Sequence, residues 1–142
     1  MSELSGDRTK ITAAHRARGA FVYVRQSSLQ QVRHNQESQR RQYDFAAQAT
    51  TLGWSRDHVV ILDEDQGKSG AIPYARAGFG RLASAVARGE VGIVMSLELS
   101  RLARNDADWH HLVYLCRWSE TLIADEHGVY DPAASTDRMV LG

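Results

Sequence analysis

Tyr23, Arg25 and Ser27 alternate along a stretch rich in Phe, Val and Tyr that begins at Ala20. Every second side chain of a β-strand lies on the same face, so these three would share a face, with Ser27 where the strand gives way to a loop. An arginine on a buried strand is costly unless it pairs with a carboxylate or a phosphate. Ser27 is therefore a candidate nucleophile beside a bound phosphate, whereas Ser28 would point to the opposite face.

More arginines follow other predicted strands. Arg101 and Arg104 are three residues apart, so they would project from one side of a helical turn, and Arg76 precedes a further helical stretch. Ligands of α/β proteins bind outside the carboxyl ends of the strands, where these arginines would meet Ser27. Arginines around one serine suit phosphoryl transfer, in which positioning and charge stabilisation dominate. The alternative is that they are surface groups paired with nearby acids, such as Glu98, Asp65 and Asp106.

The sequence lacks the residues that three other kinds of chemistry require. No Walker-type loop is present, which disfavours nucleotide hydrolysis. No His, Cys, Asp or Glu set has the spacing of a metal site, and no nearby motif supplies the His–Asp pair of a serine hydrolase triad. The single cysteine, Cys116, lies among apolar residues of a predicted helix, so we interpret it as a core residue.

Strands and helices alternate along the chain. Strands rich in branched and aromatic residues are predicted at Ala20–Ser27, His58–Leu62, Val91–Leu97 and Thr121–Ala124. Helices are predicted between them, at Gln36–Leu52 with an Asn35 cap and a Gly53 stop, from Phe79 to near Gly89, and from an Asn105 cap through Cys116. This alternation predicts a layered α/β fold with a mainly parallel sheet.

The composition is that of one ordinary globular domain. The 142 residues are 43% hydrophobic and 24% charged, and the net charge is zero, so no global charge marks a nucleic-acid binder. All basic residues except Lys10 and Lys68 are arginines, which suit bidentate phosphate contacts, although an Arg-rich genome would produce the same excess. The polar stretch 1–18 is predicted to be a flexible tail. Without an apolar signal or membrane-spanning run, and with one cysteine, we expect a cytoplasmic protein with no membrane partner.

The ordered set of motifs resembles the serine recombinases, the resolvase and invertase family, from about Gly19 to the end of the chain. Four segments carry the resemblance: Tyr23–Ser27 to the family's Tyr-x-Arg-x-Ser signature, Asp65–Gly70 to its Asp-x-x-x-Ser-Gly loop, Arg76–Phe79 to its Arg-x-Gly-Phe helix entry, and Arg101–Arg104 to its Arg-Leu-x-Arg turn. Gln31 and Gln36 follow at the family's spacing. Gly128–Pro132 and Asp137–Arg138 are similar to the branch of large serine recombinases carried on mobile elements.

The resemblance implies a three-layer resolvase-like fold, with a mainly parallel central sheet of four to five strands, and a reaction on double-stranded DNA. Ser27 would attack a DNA phosphodiester, form a 5′-phosphoserine bond and release a 3′-hydroxyl. Because the ester keeps the bond energy, the strands could be rejoined without ATP, a metal or another cofactor. The arginines that would surround the phosphate are Arg25, Arg76, Arg101 and Arg104, the last nearest the leaving oxygen. Supporting roles would fall to Tyr23, Gln31, Gln36, Asp65 and Glu98.

Two features depart from the family pattern. Ser100 stands where the family often has an aspartate, and Glu98, two residues earlier, could supply that carboxylate. The chain also ends before the long helix that makes the family's dimer and before its separate DNA-binding region. We therefore expect residues 19–142 to be a truncated catalytic domain, mostly monomeric and inactive alone, of a full-length protein that forms dimers and tetramers. Two alternatives stay open: a non-catalytic interaction or regulatory module, and a serine phosphohydrolase of small phosphates.

Overall fold

The computed structural model contains a five-stranded sheet with helices on both of its faces. The residues that it describes are 10–24, 40–62, 77–97, 99, 102, 106–134, 137 and 141. The strands, in chain order, are β1 (Gly19–Tyr23), β2 (Val59–Leu62), β3 (Val91–Met95), β4 (Leu122–Ala124) and β5 (Val129–Tyr130). The helices are α1 (Ala13–Arg16), α2 (described over 40–46), α3 (Gln48–Thr51), α4 (Ala77–Ala87) and α5 (Asp106–Trp118), with a 3-10 turn at Arg56–His58.

The sheet has the strand order β2-β1-β3-β4-β5. The first four strands in this order are parallel to their neighbours, and β5 runs antiparallel to β4. A parallel connection returns the chain from the carboxyl end of one strand to the amino end of another, usually through a helix. The carboxyl ends of β1 to β4 therefore lie on one edge of the sheet and their amino ends on the opposite edge.

Two apolar cores lie on opposite faces of the sheet, because successive strand residues point to opposite sides. In the first core, Val22 and Val24 pack with residues of α2 and α3. In the second core, Tyr23 packs with Leu82 of α4 and Leu112 of α5. All five residues of β3 are buried, as expected of a strand covered on both faces. These layers confirm the predicted α/β class and its mainly parallel central sheet.

The strands are shorter than predicted at two carboxyl ends. β1 ends at Tyr23, and the predicted extension to Ser27 lies outside the described residues after Val24. β3 ends at Met95, and Leu97 follows it as a half-buried residue outside the strand. β3 therefore gives way to irregular backbone earlier than the apolar pattern indicates.

Two helices end at the glycines that were predicted to stop them. α3 is followed by Gly53, with φ of 112°, and α4 is followed by Gly89, with φ of 76°. This left-handed conformation is strained for residues with a Cβ atom and accessible to glycine, so both stops are confirmed. The predicted N-caps, Asn35 and Asn105, lie outside the described residues.

The N-terminal stretch is folded from residue 10 onward, so the predicted flexible tail of residues 1–18 is wrong for residues 10–18. Ile11 is buried in the first core. α1 follows an N-cap, Thr12, whose side-chain oxygen accepts a hydrogen bond from the backbone N–H of His15. The sequence pattern missed this element because a single helical turn has no apolar period to detect.

Exposed large apolar side chains are scattered over the described surface, at Tyr43, Ile61, Tyr114 and Trp118. Single exposed apolar residues are ordinary on globular proteins, but the exposed rings of Tyr114 and Trp118 on α5 contact each other edge to face, with centroids 6.1 Å apart. None of the helices in the described ranges is both long enough and apolar enough to cross a bilayer.

Candidate active site

Three adjacent parallel strands end side by side at one edge of the sheet. In the register of β1 with β2, Tyr23 lies opposite Leu62, and in that of β1 with β3, Val22 lies opposite Met95. The backbone N–H of Val24 also donates to the carbonyl oxygen of Leu62, at 2.9 Å. The three carboxyl ends are therefore level to within about one residue, or about 3.3 Å along a strand.

The chain segments that leave these three ends carry the predicted site residues. Apart from Tyr23, those residues lie outside the described part of the chain, as do the alternatives Ser28 and Ser100. The predicted site residues outside the described part are Arg25, Ser27, Gln31 and Gln36 after β1, Asp65 and Arg76 after β2, and Glu98, Arg101 and Arg104 after β3. These segments thus follow the carboxyl ends of three neighbouring strands. The roles of their side chains stay predictions.

Tyr23 lies on the face of the sheet covered by α4 and α5. Its side chain is buried in the second core, whereas Val22 and Val24 are buried in the first. The alternation on which the prediction for Arg25 and Ser27 rests therefore holds through residue 24. The ring of Tyr23 is part of the second core, and its predicted supporting role in the site stays a prediction.

Leu102 fixes the middle of the predicted Arg-Leu-x-Arg turn to the domain. Its side chain is fully buried in the second core. Its backbone N–H donates to the carbonyl oxygen of Leu99, four residues beyond the end of β3, at 3.0 Å. In sequence, Leu102 stands between Arg101 and Arg104, whose own positions lie outside the described residues.

The predicted Arg-x-Gly-Phe helix entry begins a helix in the structure. α4 starts at Ala77, immediately after Arg76, and the next two residues, Gly78 and Phe79, are buried. Phe79 packs in the second core with Tyr23. The first turn of α4 is therefore held against the end of β1, which fixes the backbone that follows Arg76.

Helices α4 and α5 both begin at the carboxyl edge of the sheet. Each follows a parallel strand, α4 after β2 and α5 after β3, and each leads to the amino end of the next strand. The positive ends of their dipoles are favourable for anions. In α5 this end already faces acidic side chains, since Asp106 and Asp108 lie in the first turn.

The β4–β5 turn adds further polar groups to the same edge of the sheet. The sequence pattern did not indicate these groups. One carboxylate oxygen of Asp125 accepts hydrogen bonds from the backbone N–H groups of His127, at 2.8 Å, and Gly128, at 3.1 Å. Glu126 forms an ion pair with Arg41 of α2, at 3.5 Å. Both side chains of this pair are solvent-accessible, so the pair contributes little energy but links the turn to α2.

Cys116 is excluded as a nucleophile. It is fully buried in the second core, and burial raises the pKa of its thiol to about 12, so the reactive thiolate is absent near neutral pH. This confirms its interpretation as a core residue. Within the described ranges, no group of three His, Cys, Asp or Glu side chains is arranged to hold a metal ion.

Residues 20–142 match the family model described as the resolvase N-terminal domain. The chain belongs to this family, and the motifs from Tyr23 onward are those of a serine recombinase catalytic domain.

Two individual proteins can be compared with the chain. The protein y4bA/y4pH of Sinorhizobium fredii (strain NBRC 101917 / NGR234) is 56% identical over 133 residues, which cover 94% of this chain and 19% of that protein. The N-terminal catalytic domain of TP901-1 integrase is similar in structure, with a TM-score of 0.50 and 20% identity, over 87% of this chain and 88% of the other. The chain thus spans a small part of the much longer Sinorhizobium protein. The similarity to the integrase domain supports the α/β fold described above.

Proposed function

We propose that this domain cuts and rejoins double-stranded DNA by transesterification, with Ser27 as the nucleophile. The oxygen of Ser27 forms a bond to the DNA phosphorus, and the bond from phosphorus to the 3′ oxygen breaks. The Ser27 hydroxyl loses its proton, the departing 3′ oxygen gains one and leaves as a hydroxyl, and the 5′ phosphate stays on the serine as an ester. The reverse attack by a 3′-hydroxyl restores the DNA and frees Ser27.

One observation carries this proposal: the segments with Ser27, with Asp65 and Arg76, and with Arg101 and Arg104 leave adjacent carboxyl ends in the order β2-β1-β3. The ends of three strands that are tens of residues apart in sequence thereby lie at one edge of the sheet. Membership of the resolvase N-terminal domain family supports the recombinase class.

The arginines supply the charge that the reaction needs. As the serine attacks, negative charge develops on the phosphate oxygens, and preorganised donors aimed at that charge lower the barrier. Guanidinium groups suit this role because their planar forks match two phosphate oxygens at once. We assign Arg25, Arg76, Arg101 and Arg104 to this role, with Arg104 nearest the leaving oxygen.

A carboxylate near Arg101 would hold its guanidinium in place. Ser100 occupies the position where the family often has an aspartate, so we assign this positioning role to Glu98. Tyr23, Gln31, Gln36 and Asp65 would support the site, and the proposed chemistry requires no metal or other cofactor.

Assembly belongs to the full-length protein in this proposal. Strand exchange joins ends from two DNA duplexes, so we expect dimers that pair into tetramers on DNA. The net charge of residues 1–142 is zero, which removes the general attraction to phosphates that drives non-specific DNA binding. We therefore assign DNA capture to parts of the full-length protein outside this domain.

A covalent trapping experiment tests the proposal. The full-length protein is incubated with a random-sequence duplex library, washed under denaturing conditions, and the retained DNA is counted and sequenced. Ser27→Ala should abolish retention, and Ser28→Ala, the matched control, should preserve it. Retention that survives Ser27→Ala, or that depends on Ser28, would contradict the assignment.

A further inference from the structure

The N-terminal strap, defined as residues 10–18, packs across the amino ends of the strands, opposite the candidate active site. Arg18 donates to the carbonyl oxygens of Ser119, at 2.7 Å, and Glu120, at 2.8 Å, at the end of α5. The indole N–H of Trp54 points at the carbonyl oxygens of Arg18, at 3.0 Å, and His15, at 3.2 Å. The strap therefore ties both helical layers to the sheet.

The strap also approaches the sheet closely enough to require a glycine. A Cβ atom on Gly92, in β3, would collide with the backbone of His15. The family match begins at residue 20, so the strap lies outside the part of the chain that the family model covers.

Lys10 connects the strap to the C-terminal segment, defined as the described residues 129–134 and 137. Its ammonium group donates to the carbonyl oxygen of Val129 at 2.7 Å and forms an ion pair with Asp137 at 3.1 Å. The same Asp137 carboxylate oxygen accepts a hydrogen bond from the backbone N–H of Asp131 at 2.8 Å. The segment is also held by the two-residue strand β5 and by the buried side chain of Val129, so Lys10 is one of several attachments.

The strap depends on the protonation state of one histidine. The Nδ1 atom of His15 accepts a hydrogen bond from the backbone N–H of Thr12 at 3.0 Å, while the Thr12 hydroxyl accepts one from the backbone N–H of His15 at 3.3 Å. This reciprocal capping box requires an unprotonated Nδ1. A proton on Nδ1 would oppose the Thr12 N–H and remove this half of the capping box, whereas the Thr12 hydroxyl, 3.0 Å from Nδ1, would stay as an acceptor.

We propose that the N-terminal strap is a pH-sensitive latch: it holds the C-terminal segment against the sheet while His15 is neutral and loosens when His15 becomes doubly protonated.

The charged groups around His15 come from three elements. Burial and the neighbouring Arg18 lower the pKa of His15, whereas a hydrogen bond to the Glu120 backbone and the carboxylates of Asp131 and Glu120 act in the opposite direction and are outweighed. The folded strap therefore binds fewer protons than the unfolded chain. Its stabilisation is complete above the ordinary histidine pKa of about 6.5 and declines as the pH falls below that value.

Amide hydrogen exchange on residues 1–142 tests the latch, with rates corrected for the intrinsic effect of pH. Peptides from the N-terminal strap and the C-terminal segment are followed at about pH 7.5 and about pH 5.5, on either side of the ordinary histidine pKa. We expect protection of both to fall at the lower pH by on the order of fivefold to tenfold, the size of a lost N-cap interaction. Unchanged protection of both segments overturns the proposal.

Two variants identify the groups responsible. His15→Gln keeps a side-chain acceptor but cannot gain a positive charge, so it should abolish the pH response, whereas His111→Gln, at an exposed histidine of α5, should keep it. A pH response that persists in His15→Gln overturns the role of His15. Lys10→Met should lower protection of the C-terminal segment at both pH values while α1 keeps its response. Unchanged protection of that segment in Lys10→Met overturns the latch, and this test stands even if His15→Gln fails to fold.

Discussion

Leu102 is the buried residue between Arg101 and Arg104, so shortening its side chain tests whether the core positions these arginines. Its side chain is fully buried in the second core. Removing a buried leucine to alanine typically costs about 2–5 kcal/mol, from lost burial and the cavity that remains. We expect Leu102→Ala to lower the free energy of unfolding by this amount, measured by urea denaturation of residues 1–142.

The matched control separates positioning from stability. Leu112 in α5 is also fully buried in the second core, so Leu112→Ala should cost a similar amount without disturbing the turn. A shift of about 1 Å in a catalytic group can reduce a rate by on the order of 10²-fold. We expect covalent DNA trapping by the full-length protein, at a temperature where both variants are folded, to be slower by that order in Leu102→Ala than in Leu112→Ala. Equal trapping rates would refute the positioning role.

Three further predictions concern the proposed site and the isolated domain. Arg25→Ala, Arg101→Ala and Arg104→Ala should each slow covalent trapping by at least about 10²-fold. Lysine at these positions should restore little of the rate because it lacks the planar fork. Near-normal rates in two of the three alanine variants would favour surface ion pairs instead. Glu98→Gln should slow trapping with little change in the urea midpoint, and an unchanged rate would give the positioning role to another group. Residues 1–142 alone should sediment mostly as a monomer at micromolar concentration and show little affinity for duplex DNA at physiological salt, since their net charge is zero; a tight dimer or specific DNA binding would contradict this.

The regular part of the fold could be predicted because its signals are local. The apolar run of β3 and the glycines after α3 and α4 each act within a few residues of the feature they specify. The N-terminal strap could not be predicted in this way. Its helix has a single turn. Arg18 donates hydrogen bonds to the carbonyl oxygens of Ser119 and Glu120, about a hundred residues away in sequence.

The same distinction between local and long-range signals applies to the candidate site. The alternation of Tyr23 with its neighbours, the helix entry after Arg76 and the turn at Leu102 are short-range features, and all three agree with the sequence pattern. The order β2-β1-β3, which brings three strand ends to one edge, depends on pairing between strands far apart in sequence. Periodicity within one segment contains no information about that pairing.

The most direct test of the proposed chemistry is to locate the covalent bond itself. DNA trapped on the full-length protein is digested with nuclease and protease, and mass spectrometry identifies the peptide that retains a nucleotide. The proposed mechanism predicts a 5′-phosphate ester on Ser27, with free 3′-hydroxyl groups on the cleaved strands. A nucleotide attached to any other residue, or cleavage that leaves a 3′-phosphate, would contradict it.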